Sequence, residues 1–186
     1  MDFEKIINEV KLIPAASIAK LAGITSEGNY RKGDFLFREG KVNNNIYFIG
    51  DGIARAFVHH EHREVTFWFA KEGDPLLSIQ SYVENLPGYE NIELLEDCVL
   101  FQLKKDDLEK LYSEDIHLAN WGRKLADKSF VDTEKRLISR QFKTSVERYH
   151  ELLNRQPDLF KRVQLKLIAS YLGMTQVTLS RIRAMR

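Results

Sequence analysis

The segment Gln164-Leu-Lys-Leu-Ile-Ala-Ser-Tyr-Leu-Gly-Met-Thr-Gln-Val-Thr-Leu-Ser-Arg-Ile-Arg-Ala-Met-Arg186 carries two helical periods separated by one glycine. Leu165, Ile168, Ala169 and Leu172 recur at helical intervals, so a first helix has one apolar face. Gly173 permits the left-handed residue with which helices often end. Thr175 follows as an N-cap for a second helix. In that helix Val177, Leu179 and Ile182 are apolar, while Gln176, Thr178, Ser180, Arg181 and Arg183 are of the kind that reach bases and phosphates. The small Ala169 lets the two helices cross closely. The spacing predicts a helix-turn-helix whose second helix would lie in a DNA major groove. An ordinary helical hairpin shares the glycine turn, so charge must separate the two readings.

The chain of 186 residues is nearly neutral, at +1, but its charge is unevenly placed. From Arg136 to Arg186 eleven Lys or Arg face three acids, a net of +8, which leaves −7 on the first 135 residues. A basic end on an acidic body fits a DNA-binding module joined to something else. Most of the excess is arginine, whose planar fork suits phosphates and guanine edges.

At this length the chain can hold two small domains, and 44% hydrophobic residues are enough for packed cores. No apolar run approaches the roughly 20 residues that span a bilayer, and the N-terminus lacks the apolar core of a secretory signal. No membrane partner is expected, and the expected location is the cytoplasm. The single Cys98 can form no internal disulfide and cannot hold an iron–sulfur cluster unaided.

The first hundred residues read as β-structure. Short β-branched and aromatic runs at Asp34–Arg38, Asn45–Ile49, Ile53–Val58, Glu64–Phe69 and Val99–Leu103 alternate with glycine turns. That rhythm predicts a β-roll or jelly roll. From Asp106 to Ser139 there is no proline and one glycine, Gly122. Ser113-Glu114-Asp115 looks like the start of a long helix, and a second helix is predicted over Glu134–Leu153. Leu118, Trp121 and Leu125 form one apolar stripe, and Ile116, Ala126, Phe130 and Leu137 mark another. Two stripes predict a helix that packs on its own domain and on a partner helix.

In this order the chain resembles the cyclic-AMP receptor protein/Fnr superfamily of bacterial transcription regulators, most closely the short, divergent members frequent among Bacteroidetes. Three segments carry the likeness: Tyr30–Gly40, Ile46–Arg55 and Ile168–Ile182. The resemblance implies an α+β chain with three parts. Residues 1–112 would form a β-roll like a cyclic-nucleotide-binding domain, 113–138 a dimerisation helix, and 139–186 a helix-turn-helix, winged-helix-like DNA-binding domain. A hairpin wing would have to precede the motif, and little room exists between Pro157 and Arg162. The implied partners are double-stranded DNA carrying a palindromic operator, a second copy of the chain, RNA polymerase, and a small-molecule effector of unidentified class.

Carried over residue by residue, base reading falls to Gln176, Val177, Thr178 and Arg181, with Ser180 alongside. Arg181 matches a family arginine that contacts guanine. Gln176 stands where many members have Arg, and Val177 where many have Glu, so the operator is expected to differ from the cyclic-AMP receptor consensus. Lys166, Thr175 and Arg183 are expected to position phosphates without reading sequence. The implied dimer interface draws on Leu118, Trp121, Leu125, Phe130 and Leu137.

The effector region departs from the family pattern. Glu72 is a candidate for the sugar-binding acid, but no arginine occurs from Gln80 to Leu100. Glu90 and Asn91 stand near the place of the family's phosphate-binding Arg–Ser pair. Carboxylates repel a phosphodiester, more so once desolvated. The roll is therefore expected not to bind cyclic AMP, with Glu72, Gly73, Ser78, Glu90 and Asn91 as the candidate pocket for another ligand or none.

A rival reading from another class is a β-roll small-molecule- or metal-binding protein without DNA binding, in its metal form a cupin-like enzyme using His60 and His62 with Glu64 and His117. Glu64 follows His62 too closely, His117 falls in the predicted long helix, and the basic C-terminal module is left unexplained. Haem ligation by His59, His60, His62 or His117 is not expected either, because the first three fall at a predicted hairpin tip, where polar residues are ordinarily just solvated. No metal, no cofactor and no catalytic residue are expected, and the chain is read as a regulator.

Overall fold

The computed structural model describes residues 1–61 and 63–185. Two short helices come first, α1 (Phe3–Val10) and α2 (Ala15–Gly23), in a region where strands were expected. Asp2 starts α1 by accepting the Lys5 N–H at 2.8 Å. Eight strands follow: β1 (Thr25–Tyr30), β2 (Phe35–Phe37), β3 (Ile46–Asp51), β4 (Ala54–His60), β5 (Arg63–Ala70), β6 (Pro75–Leu76), β7 (Asn91–Leu94) and β8 (Cys98–Leu103), with helix α3 (Ile79–Glu84) between β6 and β7.

The strands form two antiparallel sheets, ordered β1-β8-β3-β6 and β2-β7-β4-β5. Their facing surfaces enclose Phe37, Ile49, Leu76, Ile92, Leu94 and Leu100, which makes this the expected roll. Gly52 adopts φ +108° on the β3–β4 turn, and a Cβ there would stand 2.3 Å from the Cys98 sulfur. Only glycine fits that corner.

Helix α4 (Lys105–Glu114) precedes α5 (Ile116–Phe142), which is 27 residues long. The long helix does not begin at Ser113. That residue lies in the last turn of α4, where its hydroxyl donates to the Lys110 carbonyl. Asp115 is the true cap, accepting the His117 N–H at 3.0 Å. Its other oxygen accepts from Ser17 Oγ at 3.0 Å and Lys20 Nζ at 2.8 Å. The predicted Glu134–Leu153 helix is likewise divided. Helix α5 runs on to Phe142, and α6 (Ser145–Arg155) starts at a capping box in which Thr144 and Glu147 satisfy each other's backbone N–H.

A second core lies outside the β1-β8-β3-β6 sheet. There Ile6, Ile7, Leu21 and Phe48 meet Leu118 and Trp121 of α5. The Trp121 indole donates to the Ile7 carbonyl at 3.0 Å. Leu118 and Trp121 are fully buried within this one chain, and Leu125 packs against the same cluster. The expected interface is corrected here: Leu118 and Trp121 are core residues, because α1 and α2 cover the face they project from, and Leu125 is half-buried at the margin of that core. Phe130 and Leu137, further along α5, are exposed.

Candidate nucleic-acid interface

Beyond α6 come α7 (Leu159–Arg162), α8 (Leu165–Tyr171) and α9 (Gln176–Ala184). Helix α7 occupies the interval in which a wing would have had to fit. Among the described residues no strand follows β8.

Gly173 has φ +67°, and α8 closes with the Met174 N–H on the Ala169 carbonyl and the Gly173 N–H on that of Ser170, both at 3.0 Å. This is the paired closure that a left-handed residue allows. Thr175 then caps α9, its hydroxyl accepting the Thr178 N–H at 3.1 Å. Leu179 and Ile182 turn inward onto Ile168, Ala169 and Leu172. The Arg148 guanidinium ties the corner to α6, its Nε–H donating to the Leu172 carbonyl at 2.9 Å.

With α9 held by these contacts, Gln176, Val177, Ser180, Arg181 and Arg183 are left exposed. Lys166 and Thr175 are exposed beside them. Thr178 is half-buried, and its hydroxyl is 2.9 Å from that of Thr175, so it serves the cap as well as the surface. A capped helix end pointing cationic and amide side chains outward can hydrogen-bond both phosphate oxygens and base edges.

The helical module is docked on the roll by polar contacts that sequence reasoning missed. Arg162 on α7 donates from Nη2 to Glu72 at 2.7 Å and to Glu96 at 2.5 Å, and from Nε to Glu96 at 3.0 Å. Burial alone would raise the Glu72 carboxyl, but the Arg162 guanidinium and the Gly52 N–H hold it below the ordinary range. Ser170 on α8 takes the Thr66 N–H at 3.0 Å and donates to the Glu64 carbonyl at 3.2 Å. Apolar packing joins in, since Ile53 and Phe69 of the roll belong to the same cluster as Leu152, Leu159 and Ile168. The Phe69 and Tyr171 rings lie 5.2 Å apart. Glu72 and Arg162 are 90 positions apart in sequence, and no local pattern announces such a pair.

The candidate effector residues divide into two places. Glu72 is committed to Arg162 and Gly73 lies in the turn after β5, so Glu72 is not free to take a sugar. Ser78 and Glu90 instead meet across Gly88, where a Cβ would lie 2.5 Å from Ser78 Oγ and 3.5 Å from Glu90 Oε1. Asn91 accepts the Glu39 N–H at 3.2 Å. Ser78, Glu90 and Asn91 are buried, and Ser78 Oγ, Glu90 Oε2 and Asn91 Nδ2 have no hydrogen-bond partner among the described residues.

Of the histidines in the rival reading, His60 sits with His59 at the end of β4, and His117 is exposed in the first turn of α5, away from them in the sequence. His59 and His60 are exposed, and His62 lies outside the described residues. Glu64 is bound to Arg55 at 2.6 Å, so it is not available to join them.

The roll now has strands, turns and an inner polar corner to compare with other proteins. Residues 27–115 match the cyclic nucleotide-binding domain family. The cyclic nucleotide-binding domain match runs from within β1 to the cap of α5. No curated protein sequence matches the chain. Solved structures resemble it over most of its length. FixK2 from Bradyrhizobium japonicum covers 87% of this chain and 84% of its own, with a TM-score of 0.75 at 21% identity. The c-di-GMP-responsive global regulator CLP of Xanthomonas campestris covers 92% and 90%, with a TM-score of 0.71 at 16% identity. A Eubacterium rectale protein assigned to the crp/fnr family of transcriptional regulators covers 91% and 82%, with a TM-score of 0.69 at 16% identity. At these identities the likeness is one of fold. No helix among the described residues is long and apolar enough to cross a membrane.

Proposed function

We propose that this chain is a sequence-specific DNA-binding transcription regulator of the Crp/Fnr type that works as a homodimer. The observation that carries the reading is α9: Thr175 caps it and Leu179 and Ile182 anchor it, while Gln176, Val177, Ser180, Arg181 and Arg183 remain outside. Arg181 reads a guanine edge, Val177 offers an apolar contact to a thymine methyl, and Lys166, Thr175 and Arg183 fix register on phosphates. The second half of α5 supports the dimer. Phe130 and Leu137, and likewise Val131 and Ile138, recur seven residues apart, and all four are exposed. That interval is the one by which paired helices mesh. In the dimer the two α9 helices would lie roughly 34 Å apart, one turn of DNA.

The roll does not bind cyclic AMP in this reading. The buried corner offers the Glu90 carboxylate where a phosphodiester would need a cation, and desolvation strengthens that repulsion.

Selection of operators from a random DNA pool, with the purified chain and no added ligand, tests the function. Enrichment of a palindrome is the expected result. Failure to enrich any sequence, with and without cyclic nucleotides and a cell metabolite extract, would overturn it. Arg181→Ala is expected to cost about 1–3 kcal/mol on the selected site and to relax choice at one base pair. Lys166→Ala should weaken specific and random DNA alike and flatten the salt dependence. Equal losses on both DNAs for Arg181→Ala would remove its base-reading role.

A further inference from the structure

A cavity of about 140 Å³ lies between the last turns of α5, the facing side of α6, strand β5 and the end of α8. It is large enough for several waters or one small anion. Its walls are cationic side chains on one side and the aromatic rings of Trp68, Phe69 and Tyr171 on the other.

Pairing decides which of these charges is free. Of the acids on the wall, Asp132 is taken by Arg155 at 3.6 Å, and Glu151 by Lys143 at 3.0 Å and the Ser139 hydroxyl at 2.6 Å. Asp74 accepts the Lys71 N–H at 3.0 Å, and burial pushes its carboxyl up from the usual range. Arg148 spends its donors on the Leu172 and Lys143 carbonyls and on Ser145. Three cations remain, Lys135, Arg136 and Arg140. None has a carboxylate partner among the described residues; Arg136 donates only to Thr133 Oγ1, at 3.0 Å, and Arg140 lies against Gly173 at the α8–α9 turn. Arg136 and Arg140 are four residues apart and share one face of α5, so two guanidinium forks address the same space.

We propose that this cavity is a binding site for a small phosphate-bearing anion, held by Arg136 and Arg140 with Lys135 at the rim. Charge-assisted bonds from two guanidinium groups hold such an anion bidentately, and the aromatic wall excludes water from one side. The site lies where the roll and the α8–α9 module meet, and it is separate from the buried Ser78–Glu90 corner and from the exposed face of α9. It stands whether or not the chain reads DNA.

Isothermal titration of the full chain with inorganic pyrophosphate tests the proposal. The expected result is one bound anion per chain. The double variant Arg136→Gln/Arg140→Gln should weaken it about tenfold or more. Lys135→Gln should weaken it less, and Lys161→Gln, an exposed cation elsewhere, not at all. Both α5 variants should keep the parent melting temperature without ligand; should the double variant fail to fold, a loss in Lys135→Gln with none in Lys161→Gln decides in favour, and equal binding by the two decides against. No binding to the parent chain, or parent-like binding by a folded double variant, overturns the site. Displacement of pyrophosphate from the parent chain by random duplex DNA, with weaker duplex binding by the double variant, would instead make the groove part of a DNA track.

Discussion

The first two turns of α5 and its last four are one continuous helix with opposite surroundings. Trp121 is wholly buried against Phe48 and the α1 backbone, whereas Phe130 is 71% and Phe142 78% exposed. Both segments carry large apolar side chains, yet only in the first are those side chains covered by elements of the same chain. Along the second, α6 and α8 meet the polar face and leave the apolar side chains open. Apolar periodicity therefore reports that a face will be covered and not by what. The covering of the first segment is supplied by α1 and α2, from the far end of the sequence.

That contrast can be broken most forcefully at Trp121. Trp121→Ala removes a buried ring and one of the two donors to the Ile7 carbonyl, which keeps the Lys11 N–H, so denaturant unfolding should show a loss of about 3–5 kcal/mol. A loss no larger than that of an exposed-site change would mean the residue is not core. The paired substitution Phe130→Ala/Leu137→Ala should do the reverse. It should change the stability of the isolated chain by about 0.5 kcal/mol or less, while weakening self-association about thirtyfold or more by sedimentation. Unchanged association would dismiss the second half of α5 as an interface.

Two smaller effects sharpen the same boundary. Arg162→Ala leaves Glu72 and Glu96 facing each other without their shared cation, at a cost of about 1–2 kcal/mol given their partial exposure. Proteolysis should then cut between α6 and α8 faster than in the parent. Asp115 gives the smallest effect. Its hydrogen bond from Lys20, with those from Ser17 and the His117 N–H, outweighs desolvation and holds its carboxyl at about 2. The folded value lies below the unfolded value of about 3.9. Its contribution is thus complete above about pH 4 and is lost as pH falls through about 2. In Asp115→Asn, stability measured between those values should lose that part of its pH dependence.

How much of this was legible depended on whether the determining contact was local. Gly173 and Thr175 act within four residues of themselves, and both took the predicted conformation. The strands around Tyr47, Phe57 and Leu100 showed as β-branched and aromatic runs, whereas Asn91–Leu94 was masked by its two polar residues. The break at Thr144 was written as Thr144-Ser-Val-Glu147, but apolar spacing continues across it and hid the capping box. For the site, the outward face of α9 could be anticipated from its own period. Arg162 could not, because its partners are brought to it only by the closed roll.

Strand β5 is the outer member of its sheet, hydrogen-bonded to β4 on one side only. An open strand margin invites pairing with foreign chains. Here the Ser170 hydroxyl takes the Thr66 N–H and serves the Glu64 carbonyl, the two groups a neighbouring strand would have claimed. Helix α8 thereby doubles as the hem of the sheet. Any state that swings it away uncovers a strand margin, which ties the freedom of the module to the solubility of the whole molecule.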